Sequence, residues 1–578
     1  MIQNQSNKKN KIRNSIIIVL SIICLVVFTS VLFPQVRRVI IHLAEQMIHK
    51  EIYLYQSWFD ILFSYAIGGI CIILFFDYCV LTNSGKMLVR RVKQEIKDCI
   101  SEINFRSFLK PGLLIFVVYL LGACTIIRAN FLYFDDIRRS VDGSRDWYNW
   151  SRYISDFMSI IVHGDYRLTD ISPLPQLLAI ALLSCSSVLL VYVLGNGKIT
   201  AMRLLASVPL GLSPYFLECL SYKFDAPYMA LSVAVCIIPF LFITRKGAFF
   251  FSSVVSLLIM CMSYQVSSGI YPLITVILCF KYWNNRSKSN KEILSFLGIA
   301  ALAFGFSMAV YRIFFMIPHV DNYTSNTMLP FSSIIAGTLN NLKNYALNVN
   351  HDLGIIWKIF IALIMLLFVI LSMRQSQRNK LFSLIVSLFV IGISFILSYG
   401  IYSVLENPLY APRALLGFGV FLSILCIYIV LDKIKSAYIV ALALNWCLFV
   451  FAFSYGNALA DQARYAEFRI TILLHDLSVL YPEADKDNLS IQLKNSIDFA
   501  PVVKNIAKHY PVIERLVPIR LGATGNDWNY RYFTDHFNYN PAYDLSIDFN
   551  SLNLPVVLDS YYQTIQSDGK RVLIILKH

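Results

Sequence analysis

The sequence predicts an all-α polytopic membrane protein with about 13 transmembrane helices, juxtamembrane amphipathic helices and a small C-terminal α+β extracytoplasmic domain. Three observations predict this class. The 578-residue chain is 57% hydrophobic and 15% charged, whereas about a quarter of the residues of soluble domains are charged. Its apolar residues form runs long enough to cross a bilayer. From residue 457 onward the apolar runs shorten and Asp, Asn and Pro become common.

The first apolar run follows a cluster of lysines and one arginine and has no small-residue cleavage site after it. It is therefore interpreted as a retained signal anchor rather than a signal peptide. The runs of spanning length lie near residues 15–33, 57–82, 111–128, 173–195, 199–219, 227–244, 248–265, 267–282, 293–317, 354–373, 381–404, 413–431 and 437–456.

The charge of the loops predicts the orientation. Lys and Arg give a net charge of +15, but they fall in short clusters between the apolar runs, which is typical of cytoplasmic loops and not of a nucleic-acid-binding surface. A cytoplasmic N-terminus puts residues 86–110, 245–246, 281–291, 374–380 and 432–435 inside. Residues 129–172, 221–226, 318–353, 406–413 and the tail then face outward. The 129–172 loop breaks the bias with five arginines, which suggests that they serve chemistry.

The cysteines do not predict a disulfide framework or a metal centre. Most of the 12 cysteines lie within apolar runs, and none follows Cys447. Neither a CxxC nor an HExxH spacing occurs. The expectation is an enzyme without a metal or other cofactor.

Three regions are expected: residues 1–110 with the anchor, the second span and a basic cytoplasmic loop; residues 111–456 as the transmembrane catalytic domain; and residues 457–578 as the soluble domain. Within the soluble domain, residues 491–493 predict a strand and residues 501–517 a helix. Residues 561–565 and 572–576 flank a Ser-Asp-Gly turn and predict a hairpin.

The first large outward loop carries the densest group of candidate residues. Residues 130–153 read NFLYFDDIRRSVDGSRDWYNWSRY. Helical spacing from Arg145 to Ile161 gathers Trp147 and Trp150 on an apolar side and Arg145 and Arg152 on a polar side. This predicts an amphipathic helix at the membrane interface, with tryptophans at the headgroup level and arginines suited to phosphate. The alternative is a structural surface helix whose arginines meet only lipid headgroups.

Asp135 and Asp136 come where the third span ends. Adjacent residues cannot share one helix face, so one carboxylate can reach a substrate while an arginine holds the other. Carboxylates beside low-dielectric surroundings are costly and usually mark function or a paired network. The alternative is a pair of solvated loop acids balanced by Arg138 and Arg139.

Three further outward segments carry polar side chains at the membrane boundary. Each alone is an ordinary loop, but all are expected on one membrane face, which makes a shared outward cavity plausible. The segments are LECLSYKFDAPY with Glu218, Lys223 and Asp225, SYQVSSGIYP with Tyr264 and Gln265, and ENPLYAPR with Glu406 and Arg413.

An outward acid, interfacial arginines and many spans suit a lipid-phosphate sugar donor. Its phosphate would meet the cationic side chains at the headgroup level, and a carboxylate would act as general base toward the acceptor hydroxyl. Cations that stabilise the departing phosphate would remove the need for a divalent metal.

These segments resemble the GT-C glycosyltransferases and, more closely, the GtrII-type glucosyltransferases of bacterial surface polysaccharides. The resemblance covers roughly residues 110–430. The matching pieces are FDDIRRSVDGSRDWYNWSRY, DISPLPQLLAI from Asp170, LSPYFLECLSYKFDAPYMALS from Leu212, SYQVSSGIYP, and NPLYAPRALLGFG from Asn407.

The resemblance implies an inverting transfer of glucose or another hexose from undecaprenyl-phosphate-sugar to a polysaccharide such as O-antigen. The reaction would occur on the outer face of the bacterial inner membrane, in contact with membrane lipid, with a flippase and a donor-synthesising glycosyltransferase as functional partners. Asp135 or Asp136 would be the base. The candidate substrate-binding residues are Arg138, Arg139, Arg145, Trp147, Arg152, Asp170, Glu218, Lys223, Asp225, Tyr264, Gln265, Glu406 and Arg413.

Other classes remain as alternatives. A polysaccharide polymerase or a protein O-mannosyltransferase would use the same membrane face. A transporter or flippase would predict inverted repeats and broken spans near the midplane, but the halves show no repeat and the ionisable residues gather at one face. A structural scaffold would leave the outward acids unexplained.

Overall fold

The computed structural model describes residues 83–317, 324–432, 434–482, 489–523, 527–539, 541–542 and 546–577. The predicted signal anchor and the span at 57–82 lie outside these residues. The chain divides into two compact units, one of residues 1–90 and 310–316 and one of residues 91–309 and 317–578. In the first unit, the structure describes only residues 83–90 and 310–316. Every site discussed below lies in the second unit.

Most described residues are helical. The helices are α1 (Asn83–Glu102), α2 (Arg106–Ala129), α3 (Asp135–Asp142), α4 (Tyr153–His163), α5 (Leu174–Leu194), α6 (Ala201–Leu205), α7 (Pro209–Leu212), α8 (Pro214–Ser221), α9 (Ala226–Ile237), α10 (Lys246–Ser263), α11 (Ile270–Asn284), α12 (Asn290–Phe314), α13 (Ile334–Asp352), α14 (Ile355–Gln375), α15 (Lys380–Leu397), α16 (Leu416–Ile429), α17 (Lys435–Leu480), α18 (Pro501–His509), α19 (Ile513–Leu516) and α20 (Asp527–Thr534). The strands are β1 (Ser490–Lys494), β2 (Val556–Asp559), β3 (Gln563–Ser567) and β4 (Arg571–Leu576).

Within the described residues, nine helices are long and apolar enough to cross a membrane, which makes the chain a multi-pass membrane protein. They are α2, α5, α10, Gln265–Asn284 including α11, α12, α14, α15, Pro412–Ile429 including α16, and α17. A tenth candidate is the pair Ala201–Leu212 and Pro214–Ser221, which bends by 61° at Ser213. The predicted run at 227–244 is a shorter apolar helix, Ala226–Phe242. The total of about 13 spans stays a prediction.

Helix α16 forms the centre of the bundle, and every one of its residues is buried. Two glycines allow neighbouring backbone to approach closely. A Cβ atom added at Gly417 would collide with the carbonyl oxygen of Ser398, and one added at Gly419 would collide with Ser213 and Pro209. Small residues at such crossings let apolar helices pack through dispersion contacts where lipid offers no hydrophobic gain.

Polar contacts join the connections at one end of the bundle. Lys281 Nζ donates to the Leu194 carbonyl (2.6 Å) and to Asn196 Oδ1 (2.7 Å), and Arg378 Nε donates to the Trp283 carbonyl (3.2 Å). Because α5 begins at Leu174 and ends at Leu194, this end lies opposite the segment that joins α2 to α5. The basic loops and the candidate catalytic loop therefore occupy different ends.

The C-terminal module contains a four-stranded sheet in the order β1-β4-β3-β2. Strand β1 pairs with β4 in parallel, and β3 pairs with β4 as an antiparallel hairpin. The predicted strand and hairpin are therefore confirmed. The predicted helix at 501–517 is instead two helices, α18 and α19, since Pro511 disfavours helical backbone at Tyr510 and removes a backbone donor.

Helix α17 runs without interruption from Lys435 to Leu480, so the boundary expected at 456/457 falls inside a helix. Its later turns carry a buried apolar stripe that packs on the sheet. The stripe consists of Ala466, Ile470, Leu473 and Leu477. One rigid element thus serves as a membrane span and as part of the core of the C-terminal module.

Candidate active site

The two adjacent aspartates have different surroundings. Asp136 is fully buried and accepts hydrogen bonds from the backbone N–H groups of Tyr133 (3.0 Å), Lys223 (3.1 Å) and Phe224 (3.4 Å). Burial raises the pKa of the Asp136 carboxyl to about 7, although these N–H groups, Arg139 and Lys223 oppose that shift. Asp136 therefore ties the loop after α2 to the reversal between α8 and α9.

Asp135 opens α3 and is partly exposed. In the described part of the chain, its carboxylate makes no hydrogen bond or ion pair. Burial lowers the pKa of the nearby Arg139 guanidinium, and the charge of Asp135 opposes that shift. The preceding residue, Phe134, has φ 20° and ψ −94°, a conformation that L residues rarely adopt and that often occurs at functional sites. Asp135 is thus the aspartate whose oxygens are available to a ligand.

A buried ion pair lies directly behind α3. Arg139 Nη1 bonds to Asp225 Oδ2, and both side chains are 5% exposed. The indole N–H of Trp147 donates to the other oxygen of Asp225, and the guanidinium carbon of Arg139 lies 4.2 Å from the centre of the Trp147 ring. These three candidates bond to one another, so they hold the loop after α2 against the start of α9.

Lys223 and Asp170 form a second pair. Lys223 Nζ lies 2.9 Å from Asp170 Oδ2, with the lysine side chain 3% and the aspartate 34% exposed. The backbone N–H of Lys223 is one of the donors to Asp136. This pair therefore connects the start of α5 to the same loop that Asp136 holds.

Glu218 and Arg413 form the third pair. The Arg413 backbone N–H and its Nη1 atom both donate to Glu218, the latter at 3.1 Å. Tyr222 lies beneath Arg413, whose guanidinium carbon is 5.1 Å from its ring centre. The Tyr222 ring also contacts Tyr133 (4.7 Å) and Phe134 (6.3 Å). Through these rings, the pair is continuous with the loop that carries Asp135.

Arg152 differs from Arg138, Arg139 and Arg145, each of which pairs with a carboxylate. Its Nε donates to Gln265 Oε1 at 3.3 Å, and its guanidinium carbon lies 4.8 Å from the ring centre of Tyr264. The Gln265 amide in turn donates to the Trp150 carbonyl at 3.1 Å. No carboxylate of the described residues forms an ion pair with Arg152, so its positive charge is available to an anion.

Three of the predicted binding residues lie outside this network. Arg138 is 43% exposed and pairs with Asp142 (3.5 Å) and Asp146 (3.4 Å). Arg145 pairs with Asp156 at 2.8 Å. Glu406 is exposed and accepts a hydrogen bond from Thr327 at 3.1 Å. Among the described residues, none of these three side chains forms a hydrogen bond or ion pair with Asp135 or with the three pairs above, and their substrate-binding role stays a prediction.

The helix predicted from Arg145 to Ile161 is confirmed from Tyr153 onward, and the prediction of one continuous helix is wrong. The segment forms a short 3₁₀ helix, Asp146–Trp150, and then α4, because Ser151 adopts a left-handed conformation with φ 58°. Trp147 is 1% exposed and packs with the buried residues Leu168, Phe224 and Tyr228. It is therefore a core residue and not a headgroup anchor.

Sequence reasoning missed two tyrosines that connect the parts of the site. Tyr133 and Tyr222 are buried, and the Tyr133 hydroxyl donates to the Leu516 carbonyl of the C-terminal module at 2.5 Å. Both tyrosines lie inside the quoted segments. The signal that could have identified them is their closeness to charged candidates, since Tyr133 is two residues before Asp135 and Tyr222 is one residue before Lys223. In the described residues, no group of three or more His, Cys, Asp or Glu side chains could hold a metal ion.

Comparison with known proteins gives one family and one relative. The profile of the family described as "Glucosyl transferase GtrII" matches residues 124–430, more than half of the chain. A protein of Salmonella phage P22, described as an uncharacterized 55.3 kDa protein in the gtrB 5′ region, is 26% identical over 443 residues. The alignment covers 74% of this chain and 88% of the phage protein. No solved structure matches the chain. All the ion pairs described above lie within the matched residues.

Proposed function

Because the chain belongs to the GtrII glucosyl transferase family and is a glycosyltransferase, we propose that it transfers a hexose from undecaprenyl-phosphate-sugar to a surface polysaccharide such as O-antigen. The hexose is glucose by the family's description. The observation that carries the proposal is the charge pattern around α3. Within the residues that the structure describes, Asp136, Asp170, Glu218 and Asp225 are each held by a donor, whereas Asp135 is not.

In the proposed reaction Asp135 is the general base. The acceptor hydroxyl gives its proton to the Asp135 carboxylate while its oxygen forms a bond to the anomeric carbon of the donor sugar. The bond between that carbon and the phosphate oxygen breaks, and the electron pair leaves with the phosphate. Polyprenyl phosphate is released, and the configuration at the anomeric carbon inverts. A positioned general base contributes about 10²- to 10⁴-fold to the rate.

Arg152 is the proposed partner of the donor phosphate within the family region. Its guanidinium keeps Nη donors for an anion, while Gln265 and Tyr264 fix its orientation. A planar guanidinium matches the oxygens of a phosphate and would stabilise the charge that develops on the leaving group. On this basis we expect the reaction to need no divalent metal.

The proposed location is the outer face of the bacterial inner membrane, with the N-terminus in the cytoplasm and the C-terminal module in the periplasm. The excess of Lys and Arg in the opposite loops supports this orientation. A lipid-linked donor made on the cytoplasmic face would then require a donor-synthesising glycosyltransferase and a flippase as functional partners.

The test is transfer by the purified chain from undecaprenyl-phosphate-glucose and, in parallel, from UDP-glucose. We expect transfer to the polysaccharide from the lipid-linked donor alone, with inversion seen in the anomeric coupling constants of the product by NMR. Transfer from UDP-glucose, or retention of configuration, would contradict the proposal. Sugar analysis of surface polysaccharide from cells with and without the gene identifies the added hexose.

A further inference from the structure

A buried arginine of the C-terminal module lies against the loop that carries the aspartates. Arg520 is 1% exposed and belongs to the segment between α19 and α20. The neighbouring backbone fixes this segment, since the Leu521 carbonyl accepts a hydrogen bond from Ile497 (3.1 Å) and Gly522 forms a bridge with Ser496. The position of Arg520 is therefore set by the fold of the module.

Two aromatic rings hold the Arg520 guanidinium. Its carbon lies 4.3 Å from the ring centre of Phe131 and 5.2 Å from that of Tyr532. Phe131 precedes Asp135 by four residues in the chain and contacts the ring of Tyr133 at 6.1 Å. Arg520 thus reaches across from the C-terminal module to the segment that positions the proposed base.

The Nη atoms of Arg520 are both buried, and neither has a hydrogen-bond partner in the described part of the chain. Burial lowers the pKa of Arg520 to about 10, and the nearby Tyr532 and Asp136 oppose that shift. The oxygens of Asp136 already accept three backbone N–H groups. Aromatic contacts alone do not replace the hydrogen bonds that a buried cation loses, so this arrangement is costly without an anion.

A second buried arginine of the same module shows the usual arrangement. Arg469 is also 1% exposed, and its guanidinium donates to the Tyr465 hydroxyl (2.8 Å) and to the carbonyl groups of Tyr562 (2.8 Å) and Lys577 (2.7 Å). These bonds make Arg469 part of the packing of α17 on the sheet. In the part of the chain that the structure describes, the Nη atoms of Arg520 have no such bonds.

We propose that Arg520 binds the phosphate group of the lipid-linked donor, so that the C-terminal module completes the donor site. This inference rests on the proposed function, which supplies a donor with an obligatory phosphate. The two Nη groups of a guanidinium can donate in parallel to two phosphate oxygens. Arg139, Lys223 and Arg413 are each occupied by a carboxylate of the chain. Arg520 lies beyond the family match, which ends at residue 430.

The test compares binding of undecaprenyl phosphate and undecaprenol to the full-length chain in detergent. We expect the wild-type chain to bind the phosphate lipid more tightly than the alcohol. In Arg520→Gln the ratio of the two Kd values should fall by about tenfold or more, the value of a charge-assisted hydrogen bond, and Arg520→Lys should keep part of it. Lys504→Gln, which removes a half-exposed cation of the same module, is the charge-matched control and should leave the ratio unchanged.

Thermal unfolding without lipid separates a binding role from a structural role. Arg520→Gln should keep or raise the Tm, because it removes a buried charge that lacks partners, whereas Arg469→Gln should lower it. A Tm loss in Arg520→Gln as large as that in Arg469→Gln, with an unchanged Kd ratio, would overturn the inference. An unchanged Kd ratio in Arg520→Gln together with a loss of sugar transfer would also overturn the inference, because it would assign Arg520 to the acceptor site. If the wild-type chain does not prefer the phosphate lipid, the proposed function itself fails.

Discussion

Replacing Asp136 by asparagine tests whether this carboxyl is a structural tie rather than the base. In the wild-type chain, its Oδ2 accepts from Tyr133 and Lys223 and its Oδ1 accepts from Phe224. Asparagine has one acceptor oxygen, so its NH₂ group must face at least one buried N–H. An unsatisfied buried donor costs about 1–3 kcal/mol. We therefore expect Asp136→Asn to unfold more easily but to retain turnover in its folded fraction.

The pH dependence of this loss has a definite sign. The pKa of Asp136 is raised from 3.8 to about 7 in the folded chain, so the folded state binds the proton more tightly than the unfolded state. The carboxyl therefore contributes stability that is complete below its unfolded pKa and is lost as the pH rises from about 4 to 7. Asparagine does not titrate. From pH 5 to pH 7, the stability of the wild-type chain relative to Asp136→Asn should fall by about 2 kcal/mol, because the slope of roughly 1.4 kcal/mol per pH unit flattens as the pH reaches the folded pKa.

The assay is thermal or denaturant unfolding of both purified proteins in detergent at several pH values from 5 to 8. All other titrating groups are shared, so the difference between the two curves isolates Asp136. A difference that stays constant with pH, or that grows as the pH rises, would refute the burial argument. Turnover lost in Asp136→Asn at pH 7, with an unchanged folded fraction, would refute its structural role.

Three further predictions follow from the charges around the site. Arg139→Gln should lower the free energy of unfolding by roughly 3–5 kcal/mol, because it leaves the buried Asp225 unpaired. Arg138→Gln should lower it by less than about 1 kcal/mol, because the partners of Arg138 are partly exposed. Equal losses of Tm in the two variants would contradict the burial of the Arg139 pair. Arg152→Gln should raise the KM for the lipid-linked donor about 10- to 100-fold with little change in Tm, whereas a changed kcat at constant KM would argue against ground-state phosphate binding. Chelation with EDTA should leave transfer unchanged, and loss that Mg²⁺ restores would show that a metal is needed.

Much of the fold could be predicted from the sequence, because membrane spans and hairpins have local sequence signals. Apolar runs predicted the described spans, and a Ser-Asp-Gly turn between alternating residues predicted the pairing of β3 with β4. The end of α17 was misplaced because composition changes near Gly456 while helical periodicity does not. The apolar stripe through Ile470 and Leu477 was visible in the sequence, and it indicates the end of α17 better than the change in composition does.

The residues of the site could be gathered from the sequence, but their individual surroundings could not. Adjacency shows that Asp135 and Asp136 face different ways, but burial of one of them depends on N–H groups 87 and 88 residues away in the chain. The break at Ser151 has no strong local signal, since serine seldom adopts a positive φ. Arg520 lies in a module without a recognised motif, and only packing shows that its donors lack partners.

The central claim is that Asp135 removes the acceptor proton, and turnover of Asp135→Asn measures it most directly. The control is Asp142→Asn, which changes a 49% exposed aspartate of the same helix α3. With undecaprenyl-phosphate-glucose as donor, the account predicts a rate loss of about 10²-fold or more in Asp135→Asn, an unchanged Tm, and wild-type turnover in Asp142→Asn. Equal turnover in the two variants would contradict it.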